Sequence, residues 1–124
     1  MSTNINEEKN GTVKIADDVI AVCVLNATLK TGGVSALSGG LTDSISRNIL
    51  GKEPLYKGIK INQNDDGVVI DVSVIVDYGV KIPAVAWDIQ ENVKNEVEEI
   101  IDIPVTAVNI HVAGVHFKEK QAAD

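Results

Sequence analysis

Apolar residues recur with two different periods along this chain, and the change of period divides it. In GIKIN, Ile59 and Ile61 alternate with Lys60 and Asn62; after the turn QNDDG, Ile70, Val72, Val74, Val76 and Tyr78 fall on one side and Asp71, Ser73 and Asp77 on the other. Successive side chains of an extended strand point to opposite faces, so this alternation predicts a hairpin with one buried and one polar face. Asp66-Gly67 supplies the turn chemistry that positive backbone angles require. Beyond it, Ile82, Ala86, Ile89, Val93, Val97 and Ile100 recur at steps of three and four, which predicts a helix from Pro83 to about Ile101 with a single core stripe. Its outer side is acidic, with Asp88, Glu91, Glu98 and Glu99 against Lys94. Pro104 then precedes a strand that turns Val108, Ile110 and Val112 inward and Asn109 and His111 outward.

The first half is less regular. Gly11–Ile15 reads as a short first strand, and Asp17 and Asp18 suit the first turn of a helix, where the dipole favours negative charge. That helix runs to about Lys30 and stops at Gly32-Gly33; its middle, VIAVCVL, is β-branched enough to be read as a strand, and its length and flanks favour the helix. It carries two apolar faces: Ala16, Ile20, Cys23 and Ala27 on one, and Val22, Leu25 and Leu29 on the other. A surface helix needs one apolar face, so the second is covered either by the glycine-rich stretch that follows or by another chain. That stretch, TGGVSALSGGLTDSISRNILGK, holds five of the chain's ten glycines. Within it Val34–Leu37 forms a short strand or extended segment, Gly39-Gly40 a hinge, and Thr42 caps a short helix with Leu41, Ile45 and Ile49 on one side and Gly51 at its end. The expected fold is α+β, a single small domain in βαββαβ order, with two main helices packed on one face of a three- to four-stranded sheet and a short extra helix in the middle segment. Residues 1–10 and 118–124 are polar, charged tails, expected to be flexible, around a domain of residues 11–117.

Composition narrows the function. A chain of 124 residues with 44% hydrophobic content is long enough for one real core. Aromatics at 3% and a formal charge of −7 oppose nucleic-acid binding, which needs concentrated positive charge and stacking surfaces. The single Cys23 cannot form an internal disulfide, which fits a reducing compartment, and its dense apolar surroundings suit a small core residue better than a nucleophile. No uncharged apolar run of about 18 residues is present to span a bilayer, and the acidic N-terminus is not a secretory signal. No phosphate-binding loop emerges from the glycines: Gly51-Lys52 is followed by Glu53 instead of Ser or Thr, and position 46 is serine instead of glycine.

Two features remain as candidate chemistry. The outward sheet face gathers Asp71, Ser73, Asp77, Asn109 and His111, which reads as an ordinary solvated face or as a metal or acid–base site. Trp87, the chain's one tryptophan, falls off the core stripe of the second helix and reads either as an interface anchor or as a cover over the rim of the domain.

The order GTVKIADDVIAVCVLNA, then GGVSALSGGLTDSISRNILGKEPLYKGIKI, then VVIDVSVIVDYGVKIPAVAWDIQENVKNEVEEIIDIPVTAVNIHVAGVHF resembles the alkaline-shock-protein family, the envelope stress response proteins of Gram-positive bacteria. The most specific parts are Tyr78-Gly79 leading to Ile82, Ala86 and Gln90, and Val108-Asn109 followed by Val112; Ser38-Gly39-Gly40, Leu50-Gly51-Lys52 and Lys57-Gly58 fit the family's middle loop. The resemblance covers about residues 11–117 and implies a cytoplasmic, non-enzymatic protein, with no catalytic, cofactor or metal residues to carry over. Some members sit beneath the membrane through a membrane-anchored partner.

These readings converge on a scaffold or adaptor that self-associates and docks on a membrane-anchored protein at the cytoplasmic face, without nucleic acid and without inserting into the bilayer itself. Its interaction residues are expected to be Trp87, Val22, Leu25, Leu29, Leu41 and Ile45. A basic segment, with Arg47, Lys52, Lys57 and Lys60, facing an acidic second helix would steer head-to-tail contacts. The alternatives are a small metal-binding or enzymatic domain using the polar sheet face, or an RNA-binding α+β module.

Overall fold

In the computed structural model, which describes residues 11–38 and 58–117, the chain runs α1 (Asp17–Leu29), β1 (Val34–Leu37), β2 (Ile59–Asn64), β3 (Gly67–Asp77), α2 (Ile82–Ile100) and β4 (Val105–His116). The expected tails, the short helix after Thr42, the glycines at 39, 40 and 51, and Leu41 and Ile45 lie outside the described residues. The second helix and the hairpin fall where the periodicity puts them, the first helix where its length and flanks put it, and the domain is a single α+β unit with a four-stranded sheet.

β3 is the centre of the sheet. β4 runs parallel along one edge of it, from Val68↔Val105 to Asp77↔His116. The other edge is shared: β2 pairs antiparallel with the first part of β3, from Asn64↔Gly67 to Ile59↔Val72, and β1 with the rest, from Leu37↔Val74 to Val34↔Val76. Residues 11–15 form no strand, so the described order is αβββαβ and the first strand is Val34–Leu37. With β1 and β2 on one edge of β3 and β4 on the other, no place beside the central strand is left for Gly11–Ile15.

The core lies between the sheet and the two helices. Val68, Ile70, Val72, Val74 and Val76, alternate residues of β3, are at most 1% exposed and meet Ile20, Val24 and Ala27 of α1 and Ile89, Val93 and Val97 of α2. The stripe on α2 starts at Val85 and finishes at Ile101, while the expected end members Ile82 and Ile100 are 39% and 62% exposed. Tyr78, read as the last inward residue of the hairpin, lies past the end of β3 and is 71% exposed. On α1 the buried side is Ile20, Ala21, Val24, Ala27 and Thr28; Ala16 is exposed and Cys23 half-buried. Burial pushes the Cys23 thiol up, and the nearby Glu96 carboxylate adds to the effect, so the thiol is not an activated nucleophile.

Polar contacts fix how the helices sit. Gln63, near the end of β2, donates to the Ile15 carbonyl (3.0 Å) and to Asp17 Oδ1 (2.8 Å), holding the start of α1 to the sheet. Glu96 of α2 accepts from Lys30 Nζ and Asn26 Nδ2, both at 2.8 Å, and Asn92 donates to Thr31 Oγ1 at 2.8 Å. These bonds join α2 to the end of α1. At the end of α2, Glu98 accepts the Val105 backbone N–H at 2.9 Å, tying the helix to the start of β4.

The two carboxylates respond alike to pH. Hydrogen bonds from Lys30 and Asn26 hold Glu96 below the usual carboxylate range, and the Val105 N–H, helped by Lys94, does the same for Glu98. A carboxyl depressed in the folded state stabilises the fold above its unfolded value, and that stability is lost as pH falls through the folded value. Urea midpoints are therefore expected to drop as pH falls below the ordinary carboxylate range. Glu96→Gln is expected to be less stable than the native chain at neutral pH and to show a shallower acid decline. An unchanged slope would assign the acid loss to other groups.

Candidate functional site

Two surfaces carry the candidate residues, and they are chemically opposite. The first is the outer face of α1. Its sequence DDVIAVCVLNATL is apolar nearly all round, so burying one side against the sheet leaves apolar groups on the other. Val19, Val22 and Leu29 are 49%, 45% and 48% exposed, with Leu25 half-buried. Of the expected interaction residues, Val22 and Leu29 are thus open and Leu25 partly covered; Val19 is an addition that spacing alone did not single out. Adjacent Asp18 makes the patch acidic at its upstream end.

Trp87 is 61% exposed, so the rim-cover reading does not describe it. It does not join the α1 patch. Asn92 and Glu96 mark the side of α2 that faces α1, whereas Gln90 donates to the Val108 carbonyl of β4 at 3.0 Å and marks the opposite side. At about 100° per residue, Trp87 lies near Gln90 and far from Glu96. The expected interaction residues therefore occupy two separate surfaces.

The second surface is the sheet face turned away from the helices. Gly58, Lys60, Asp71, Ser73 and His111 line an open depression of about 440 Å³. Strand register brings Lys60 and Asn109 opposite Asp71 and places His111 opposite Ser73, so the predicted face does assemble, with Asp77 further along beside His116. Asp71 Oδ1 accepts from Asn109 Nδ2 at 2.9 Å, which turns the carboxylate toward a neutral amide. Among the described residues, no group of three or more His, Cys, Asp or Glu is arranged to hold a metal ion. Register and solvation account for this face as it stands.

The depression sits where the middle segment departs and returns. The Ser38 N–H donates to the Ser73 carbonyl at 2.8 Å, and the Ser73 N–H donates to the Gly58 carbonyl at 2.7 Å. Ser38 and Gly58 are thus both bonded to one residue of the central strand, a juxtaposition that no local sequence pattern reveals.

Comparison with known proteins identifies the family. The chain is 34% identical over 110 residues to the uncharacterized protein YqhY of Bacillus subtilis, covering 89% of this chain and 81% of that one. It is 34% identical over 113 residues to YloU of the same organism, covering 86% and 90% respectively. A stress response regulator gls24 homolog of Streptococcus pyogenes is 23% identical over 123 residues, 99% of this chain and 69% of that one. Among solved structures, MamM-CTD H285A aligns with a TM-score of 0.48 at 12% identity, over 84% of this chain and all of that one, a likeness too distant to transfer function or assembly. The pattern of a family described as having a cell envelope-related function matches residues 5–117. The chain therefore belongs to that envelope-related family, the alkaline-shock-protein family that its sequence resembles.

Proposed function

We propose that this protein is a non-enzymatic envelope-stress scaffold that self-associates and docks on a membrane-anchored protein at the cytoplasmic face of the membrane. The observation that carries this reading is the outer face of α1, where Val19, Val22 and Leu29 each stay nearly half exposed on one element. Covering neighbouring apolar groups left open on a folded domain with another chain is favourable, because it removes them from water. Among the described residues no helix is long and apolar enough to cross a membrane, so in this reading the partner supplies the anchor. Self-association concentrates such docking sites, and that is how a scaffold gains avidity.

Sedimentation with membranes from the source cells tests the reading. The native chain is expected to co-sediment with intact membranes and to be released when their exposed protein is removed by protease. A Val22→Asp, Leu29→Asp double variant is expected to stay in the supernatant while keeping the native circular dichroism, because both side chains point outward. Binding that survives protease treatment would overturn docking on a protein, and binding that survives the double variant would overturn the α1 face as its site.

A further inference from the structure

We infer that the free edge of β4, together with the flank of α2 above it, is the surface through which two copies of this chain pair, strand to strand about a two-fold axis. This rests on the self-association part of the proposed function and assigns it a place. Among the described residues β4 pairs with β3 alone, so its outer edge presents unpaired backbone donors and acceptors. The Gln90–Val108 bond is one side-chain contact to that strand. The layer above also stops short. Alternate residues of β3 are fully covered by the helices, yet Val108, Ile110 and Val112 of β4, facing the same layer, are only half-buried.

Charge selects the occupant. Two copies each carrying a formal −7 repel, so pairing favours a surface poor in free carboxylates. β4, VTAVNIHVAGVH, contains no Lys, Arg, Asp or Glu and no proline, the residues with which exposed edges are normally protected. The other edge of the sheet carries Lys60 on β2. In an antiparallel pair about a two-fold axis each strand meets its own sequence reversed, and a strand without charge does so without opposing like charges. On α2, Pro83, Trp87, Gln90 and Lys94 follow an i, i+4, i+7, i+11 line on the β4 side, also without a carboxylate. Glu98, next along that line, is held by the Val105 N–H and by Lys94. Glu91, one turn on from Trp87, is the exposed carboxylate that borders this line, and Asp88 and Glu99 lie round the helix toward α1. Continuing the sheet through two β4 strands sets the two α2 helices side by side, with Trp87 at the seam. A large, exposed aromatic group next to an open strand edge is the composition of an interface centre.

Sedimentation equilibrium of the full chain tests the assignment, using Trp87→Glu, His111→Lys and, as a control, Lys14→Glu. Trp87, His111 and Lys14 are all exposed, so none of the substitutions enters the core. The native chain is expected to form a concentration-dependent dimer that Lys14→Glu retains and that the other two variants each weaken about tenfold or more. Gly114 faces Ile75, whereas Ala113 is exposed on β4, so Ala113→Cys in a Cys23→Ser background gives a second readout: a disulfide-linked homodimer under mild oxidation. A native dimer unaffected by Trp87→Glu and His111→Lys, and not cross-linked through position 113, would overturn this surface and leave self-association standing. A native chain that is monomeric at every concentration would overturn both, including the case in which a foreign strand fills the edge.

Discussion

Ile89→Ala is expected to lower the unfolding free energy by about 3 kcal/mol and the thermal midpoint on the order of 10 °C. Ile89 is fully buried at the middle of the α2 stripe, between Val85 and Val93, and faces the valines of β3. Truncation removes three methyl or methylene carbons from water-free packing and leaves a cavity whose walls are β-branched and stiff, so little of it can collapse. A domain of this size has a total stability of roughly 5–15 kcal/mol, so the loss is a large share of it. Urea denaturation should show a lower midpoint at an unchanged slope. A loss under about 1 kcal/mol would mean that α2 is loosely seated on the sheet, and with it the Gln90 contact and the position of Trp87.

How far the sequence foretells this molecule depends on the range of the contacts involved. Local periodicity places the hairpin, α2 and β4, because each buries a face whose spacing is written in neighbouring residues, whereas α1, apolar nearly all round, is marked by its length and its flanks. The ends of the α2 stripe are less legible: Ile82 and Val85 both fit helical spacing, and only the packing of the finished helix on the sheet selects Val85. That Gly11–Ile15 joins no strand of the sheet is likewise not written locally, because pairing depends on residues distant in sequence, as the occupancy of both sides of β3 shows. Thr28 escapes notice for another reason. It is fully buried with its hydroxyl unpaired, and an apolar pattern does not flag a polar residue used as filler. In the candidate site, the two-faced composition of α1 marks Val22 and Leu29 as turned away from the core, and Trp87 stands out as off the stripe. Their separation onto different surfaces cannot be read locally, because it depends on which flank of α2 meets α1 and which meets β4.

Gly58→Ala is expected to cost about 4 kcal/mol. Two penalties combine there. Gly58 has φ +92°, where a side chain is strained, and a Cβ would lie 2.5 Å from the Ser38 carbonyl oxygen. That oxygen belongs to backbone and has nowhere to move, since Ser38 and Gly58 are both hydrogen-bonded to the backbone of Ser73. Gly79, at φ +97° with open space around its Cβ position, separates the penalties: Gly79→Ala should cost only the backbone term, about 1 kcal/mol. Gly32→Ala, with neither strain nor a neighbour, should stay within about 0.5 kcal/mol of the native chain. The contrast tests whether segment 39–57 starts and ends at one point on β3. If Gly58→Ala behaves like Gly79→Ala, the close approach of Ser38 and Gly58 is not part of the folded state in solution. If the full loss is seen, Ser38 and Gly58 meet at Ser73 of the central strand in solution, and the glycine stands there because two backbones meet and leave no room for a side chain.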